Sequence, residues 1–304
     1  MKPLTALITL FFCLIFVLPS GELSAQERDG VDGQLRIIAF GAHPDDCEIS
    51  SAGVAAMWAA EGHAFKCVSM TNGDIGHFGM SGGELALRRM DEVKAAAEIL
   101  GIETEVMDIH DGELVPSLEN RKKVARIIRD WQADIVMAHR RYGYHADHRY
   151  SGVLVDDAII LVEARFFTPD SPPLPRSPVY LNYYDPFERP IPFEPAIVVG
   201  IDEVLDQKRS ALEQMPSQFS DTDSWTYGRS DDVPEEESER LRQRIDQLME
   251  RNENVANLYR DMLIDIYGEQ AGNDIQHAEA FELSELGRQV SAEELKELFL
   301  TDEQ

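Results

Sequence analysis

Two short clusters in this chain combine imidazoles with carboxylates. The first, Ala42-His43-Pro44-Asp45-Asp46-Cys47-Glu48, sets one histidine ahead of two adjacent aspartates. The second, His145-Ala146-Asp147-His148, follows about a hundred residues later. His43, Asp46 and His148 offer two nitrogens and one carboxylate oxygen. Three protein ligands plus a water is the open arrangement of a catalytic zinc site, which acidifies water and polarises a carbonyl. Asp45 adjoins a ligand without being needed as one, so it is placed to take a proton from that water. His145, if protonated, would donate to a developing oxyanion, and Asp147 is placed to orient a histidine. His-x-x-His spacing alone fits equally well with turns in which Asp caps a helix start and His bonds backbone. The mixed donors suit zinc, and also iron, cobalt or manganese.

These groups need elements that hold them. The apolar run at 35–40 reads as a buried strand of a parallel sheet. Pro44 stiffens the turn behind it and biases His43 toward extended backbone. In open α/β sheets ligands bind outside the carboxyl ends of the strands, where both clusters fall. Strands at 65–70, 104–107 and 134–138 alternate with helices at 51–61, 84–100, 119–131 and 150–166. That alternation predicts βαβ units, a parallel sheet and right-handed crossovers. Residues 168–178 hold five prolines and read as loop. Further strands are expected at 179–184 and 196–201, and a helix at 203–213. A polar surface loop is expected at 217–234 and a charged helix at 235–267. Ser291 with Glu294 resembles a capping box for a last short helix.

Composition narrows the classes. The formal net charge is −28 and the pI near 4.5, which excludes nucleic acid as a natural partner and favours a neutral or cationic substrate over an anionic one. Lys2, the apolar run 4–17 and Leu23-Ser24-Ala25 read as a signal peptide cleaved near Ala25. The run is shorter than the roughly twenty residues of a spanning helix, so no transmembrane span is expected after cleavage. Secretion or a periplasmic location follows. Cys47 and Cys67 remain after cleavage; they could pair, but Cys67 in an apolar strand pattern reads as a small core residue. His139, at the end of a strand, reads as structural at least as readily as site-bound, and His77 as a solvated loop residue.

The motifs resemble those of the PIG-L/LmbE-like zinc-dependent N-acetylglucosaminyl deacetylases. Ala42-His43-Pro44-Asp45-Asp46-x-Glu48 is similar to their leading motif, and His145-Ala146-Asp147-His148 to their second. Arg89-x-x-Glu92, Leu100-Gly101, Asp111-Gly112, Lys208-x-x-Ala211-Leu212, Ser217-Gln218 and Ala278-Glu279-Ala280-Phe281 follow in order. The resemblance implies a Rossmann-like, three-layer α/β fold with a mostly parallel sheet and a helical C-terminal extension. The resemblance covers roughly Arg36 to Phe281 and, with the signal reading, divides the chain into a signal segment 1–25, a flexible stretch 26–34, a deacetylase domain 35–283 and an acidic helical tail 284–304. It implies removal of an N-acetyl group from an amino sugar or glycoconjugate, with His43, Asp46 and His148 as zinc ligands and Asp45 as general base. It further implies His145 as oxyanion donor, Asp147 tuning a neighbouring histidine, and Arg89 and Asp111 near substrate. Two positions depart from the pattern: Ala146 replaces the usual proline, and Met215 replaces a frequent histidine. A zinc hydrolase of another amide or ester, or a non-catalytic glycan-binding module, would share the fold, but binding alone does not require Asp45. Oligomerisation is left open.

Overall fold

Ile37-Ile38-Ala39-Phe40 has no polar face, and the strand it forms, β1 (Arg36–Gly41), is covered on both sides. The computed structural model describes residues 33–300; the expected signal segment and residues 26–32 lie outside the described residues. The other strands are β2 (Ala64–Ser69), β3 (Glu103–Val106), β4 (Ile135–Ala138), β5 (Val179–Tyr183), β6 (Ile197–Gly200) and β7 (Ala278–Leu283). They form one sheet in the order β3-β2-β1-β4-β5-β7-β6. β1 to β5 pair in parallel, whereas β7 runs antiparallel between β5 and β6.

Alternation along β1 divides the core. Ile37 and Ala39 pack with Val54, Ala55 and Trp58 of α1 (Asp46–Ala60). Ile38 and Phe40 pack with Val124 and Ile128 of α3 (Leu118–Trp131) and Leu154 and Ala158 of α4 (Ala146–Leu161). Helices therefore cover both faces, giving the three-layer α/β fold expected from the sequence. Outside α1, a further apolar cluster joins α2 (Gly83–Leu100), α5 (Leu205–Leu212) and α7 (Glu237–Leu258). Met215 is wholly buried there, away from any cavity lining. Each fully buried aliphatic side chain contributes about 1.5–3 kcal/mol, so these layers fix where the strand ends lie.

Several features differ from the sequence reading. The helices that carry the two histidine–aspartate clusters start earlier than their apolar periodicity indicates, at Asp46 rather than 51 and at Ala146 rather than 150. Their first turns carry polar side chains, which leave no periodic signal. The charged stretch expected as one helix over 235–267 breaks at Tyr259 into α7 and α8 (Arg260–Tyr267). The acidic helical tail expected after 283 holds α10 (Ala292–Phe299), which covers the core: Leu295 and Phe299 are buried, and Trp58 Nε1 donates to the Leu298 carbonyl at 2.9 Å. Ser291 caps α10, accepting from the Glu294 N–H at 3.1 Å. Cys67 is a core residue as expected, but it is also bonded to Cys47, 20 residues away, with Cα atoms 6.0 Å apart. Closing a loop of that length stabilises the fold by roughly 3 kcal/mol and ties the first turn of α1 to β2.

The missed strand, β7, reads as polar because Glu279 and Glu282 interrupt its six residues. Glu279 is nevertheless buried, 2.7 Å from Lys208 Nζ of α5. Glu279 also accepts from the N–H groups of Gly53 and Val54, both at 2.9 Å, and Lys208 donates to the Ile49 carbonyl at 2.9 Å. One ion pair thus meets one turn of α1 and joins it to α5 and β7. A Cβ at Gly53 would lie 2.6 Å from Ile201 Cγ2, so only glycine allows this approach. Removing one partner of a buried pair typically costs about 3–5 kcal/mol, because the other charge is left unmatched. Glu279→Ala should therefore lower the unfolding free energy by about that amount in a denaturant titration; a change within experimental error would show that water, not Glu279, solvates Lys208.

Candidate active site

The parallel strands end on one rim, and the switch in strand order falls between β1 and β4. There the turn after β1 brings His43, Asp45 and Asp46, the end of β4 brings His139, and the first turn of α4 brings Asp147 and His148. Asp46 lies at the centre. Its Oδ2 accepts from the N–H groups of Ala42 at 2.9 Å and His43 at 2.8 Å, which folds the turn around it. Three imidazoles face the carboxylate: His43 Nδ1 at 3.5 Å, His139 Nε2 at 3.2 Å and His148 Nε2 at 3.4 Å. Burial opposes its ionisation, but His148, His139 and His43 hold Asp46 well below the usual carboxylate range.

The geometry fits a divalent cation held by His43, Asp46 and His148. Their ligand atoms gather within 4.8 Å of one another. A tetrahedron with bonds of about 2.1 Å has edges of roughly 3.4 Å, close to the His43–Asp46 and His148–Asp46 separations. His148 Nε2 is buried without a hydrogen-bond partner, and burial pushes its pKa down to about 3, leaving a neutral donor. Burial also opposes the cationic form of His43, but Asp111, Asp147 and Asp46 push its pKa well above the usual value. Proton and metal are alternatives at such a nitrogen.

A second grouping, His43, Asp111 and His145, is equally compact, but hydrogen bonding accounts for it. Asp111 Oδ1 lies 3.1 Å from His43 Nε2 and Asp147 Oδ2 3.5 Å from the same nitrogen. Asp147 is itself fixed by the Gly112 N–H at 2.6 Å. These carboxylates accept from the Nε2–H and turn Nδ1 toward Asp46, as orienting carboxylates do for metal-bound histidines. His145 occupies the N-cap of α4, where its Nδ1 accepts from the Asp147 N–H at 3.2 Å. The neutral ring then carries its proton on Nε2, so His145 is a donor without needing a second proton.

Asp45 lines the same cavity as His43, Asp46, His145 and His148, whose volume is about 490 Å³. Burial, then the charge of Asp46, raise its pKa to about 7, with His43, Arg89 and Arg244 acting the other way. A carboxyl in that range exchanges protons in both directions at neutral pH. Glu48 is buried behind the turn and pushed up to about 8, first by burial, which keeps it protonated there.

Arg89, expected near substrate, lines the cavity but spends its guanidinium on structure. It donates to the carbonyls of Gly73 at 2.5 Å and Gly76 at 2.8 Å and to Gln218 Oε1 at 2.8 Å. Gly73 has φ +68, and a Cβ there would lie 2.6 Å from Arg89 Nη1. Glu92 holds Ser217 through N at 3.1 Å and Oγ at 2.6 Å. Part of the stretch 217–234, expected as a surface loop, is a wall of the cavity, lined by Gln218, Phe219, Trp225 and Thr226. The Phe78 N–H donates to Asp223 at 2.7 Å, Phe78 stacks on Trp225, and Trp225 lines the cavity. His77 is not solvated; it lies 3.3 Å from Asp221 Oδ2 and braces the two loops. His139 was the site residue least legible in the sequence, and its signal was position alone: the first residue past β4, beside β1. Asp111→Asn should weaken binding of a divalent cation about 10- to 100-fold in chelator competition, with the fold intact by circular dichroism; unchanged affinity would leave Asp111 without an orienting role.

A model of the family described as "PIG-L: GlcNAc-PI de-N-acetylase" matches residues 38–159, which span β1 to α4 and both clusters. Over 199 residues the chain is 30% identical to the diacetylchitobiose deacetylase of Thermococcus kodakarensis, covering 62% of this chain and 72% of that protein. It is 26% identical over 194 residues to the 4-oxalmesaconate hydratase of Pseudomonas putida, covering 61% of this chain and 74% of that protein. The solved structure of N,N'-diacetylchitobiose deacetylase from Pyrococcus horikoshii shares the fold, with a TM-score of 0.64 at 23% identity, over 82% of this chain and 83% of that one. With both clusters inside the matched region and most of a relative's length aligned at this identity, the chain belongs to the PIG-L family.

Proposed function

We propose that the protein is a zinc-dependent hydrolase that removes an N-acetyl group from an N-acetylglucosamine-type amino sugar or glycoconjugate. The observation that carries this reading is the placement of Asp45 and His145 in the cavity that also holds the His43, Asp46 and His148 triad. The family match and the deacetylase relative support it over the hydratase chemistry of the more distant relative.

His43, Asp46 and His148 would hold the metal, which when bound supplies Lewis acidity toward the amide carbonyl and toward water. The carboxylate of Asp45 removes a proton from the attacking water. The Nε2–H of His145 donates to the carbonyl oxygen as it gains charge. Asp147 and Asp111 keep His43 in one tautomer throughout. Asp45 then returns its proton to the amine nitrogen as the C–N bond breaks, giving acetate and the free amine. Asp45→Asn keeps shape and removes the base, so acetate release from N-acetylglucosamine or its short oligomers should fall about a hundredfold or more, with metal content unchanged. Equal turnover by the variant would remove Asp45 from the mechanism; metal-replete wild type that releases no acetate from any such substrate would overturn the deacetylase reading.

We further propose that the chain acts outside the cytosol. The signal-like segment at 1–25 and the Cys47–Cys67 bridge both support this, since such bridges persist in oxidising compartments. Intact mass of the protein recovered from an exported fraction should correspond to a chain beginning near residue 26 and two hydrogens lighter than its reduced form. A full-length, reduced chain would count against export.

A further inference from the structure

The net charge of the chain favours a neutral or cationic ligand, but the cavity does not share that charge. The chain carries 56 acidic residues against 28 lysines and arginines, whereas four aspartates and four arginines line the cavity, before any bound cation is counted. Of those arginines, Arg140 is matched by Asp185 at 3.2 Å and Glu282 at 3.0 Å. Arg89 is spent on loop carbonyls and Gln218. The remaining two, Arg244 and Arg251, lie on α7 seven residues apart, with Leu248 between them, and all three face the cavity. Seven residues advance a helix by about 10.5 Å in two turns, so the two guanidiniums lie on one face, one above the other.

Among the described residues neither has an acidic partner within ion-pair distance. Arg244 donates to Gln247 Oε1 at 3.3 Å, and its buried Nε has no partner. Arg251 donates to the Tyr184 carbonyl at 2.6 Å. The carboxylates in their surroundings are mostly committed elsewhere: Asp46 faces three histidines, Asp185 faces Arg140, and Glu279 faces Lys208. Only Asp45 remains as an internal counter-charge for Arg244. Leaving a charged donor buried and unmatched is costly, and guanidinium forks are suited to carboxylate and phosphate oxygens.

We infer that Arg244 and Arg251 form an oxyanion subsite, and that the preferred N-acetylated substrate carries a carboxylate or phosphate group. This rests on the deacetylase reading for its chemistry, but the subsite itself is a binding claim. The anion would enter between α7 and the wall carrying Tyr184, while the acetamido group reaches the Asp45–His145 side of the cavity.

Steady-state acetate release should be compared for N-acetylglucosamine, N-acetylglucosamine 6-phosphate and N-acetylmuramic acid, in wild type, Arg244→Gln and Arg251→Gln. Calorimetric binding of glucosamine 6-phosphate against glucosamine accompanies it. The expected result is a kcat/KM for at least one anionic substrate roughly tenfold or more above the neutral sugar. Either variant should abolish that preference through KM, and Arg251→Gln, which does not act on Asp45, should leave the neutral sugar within about twofold. Preference for the phosphate alone or for the carboxylate alone identifies which oxyanion the subsite takes. Equal use of neutral and anionic substrates by wild type would overturn the subsite. So would a variant that slows all three substrates equally, because Arg244 would then serve Asp45. If no acetate is released from any substrate, the deacetylase reading fails, and the binding arm still decides the subsite: tighter binding of the phosphorylated amine, lost in the variants, upholds it, and equal binding removes it.

Discussion

A single buried carboxylate sets the geometry of this protein's rim. Asp46 can remain ionised only because two backbone N–H groups and three imidazoles face it. Those groups arrive on three elements, so the carboxylate acts as the point on which the turn after β1, the end of β4 and the start of α4 converge. The position at the first turn of α1 adds the favourable end of a helix dipole. The arrangement is therefore stable as a charge cluster and at the same time open to a cation: an anionic oxygen and a neutral, buried His148 nitrogen are what a divalent metal requires.

Rigidity behind that cluster comes from a second charge pair that never meets solvent. Lys208 and Glu279 cross-brace α1 halfway along, while the Cys47–Cys67 bridge fixes its first turn. A site whose ligands must hold position within fractions of an ångström needs its helix fixed at both points. This also explains why the Lys208 and Ala278-Glu279-Ala280-Phe281 segments, far apart in the chain and remote from the chemistry, belong to one constellation. Arg89 plays the corresponding part for the loops, drawing the glycine-rich stretch after β2 against Gln218 so that both become walls of the cavity.

Much of this was legible in the sequence because buried parallel strands and their helices leave strong patterns. The strand before His43, the order of βαβ units and the two histidine–aspartate clusters all carry local signals. The structure brings His43, Asp45, Asp46, His145, Asp147 and His148 to one rim, as parallel strand ends must. What the sequence did not display depended on long-range pairing. β7 was hidden because a buried glutamate looks like a solvent-facing one until Lys208 is seen opposite it. The early starts of α1 and α4 were hidden because their first turns are occupied by the polar site residues themselves. Arg89 and Asp111 were expected close to substrate; the structure places both at the rim of the cavity but engages them with loop carbonyls and with His43, a distinction that no spacing encodes.

Charge gives the same lesson in a different form. A total of −28 describes the surface that solvates the chain, and long-range potential follows that total. Recognition inside a cavity follows the few groups that line it, at distances where screening by salt is weak. On α7 the outward side chains contribute to the acidic exterior, while Arg244 and Arg251 turn inward on the same helix. An acidic exterior and a cationic inner wall are compatible because helical periodicity separates them by half a turn. The exterior slows the approach of anions without deciding which ligand is held; the inner wall, facing His43, Asp46 and His148 across a single cavity, does.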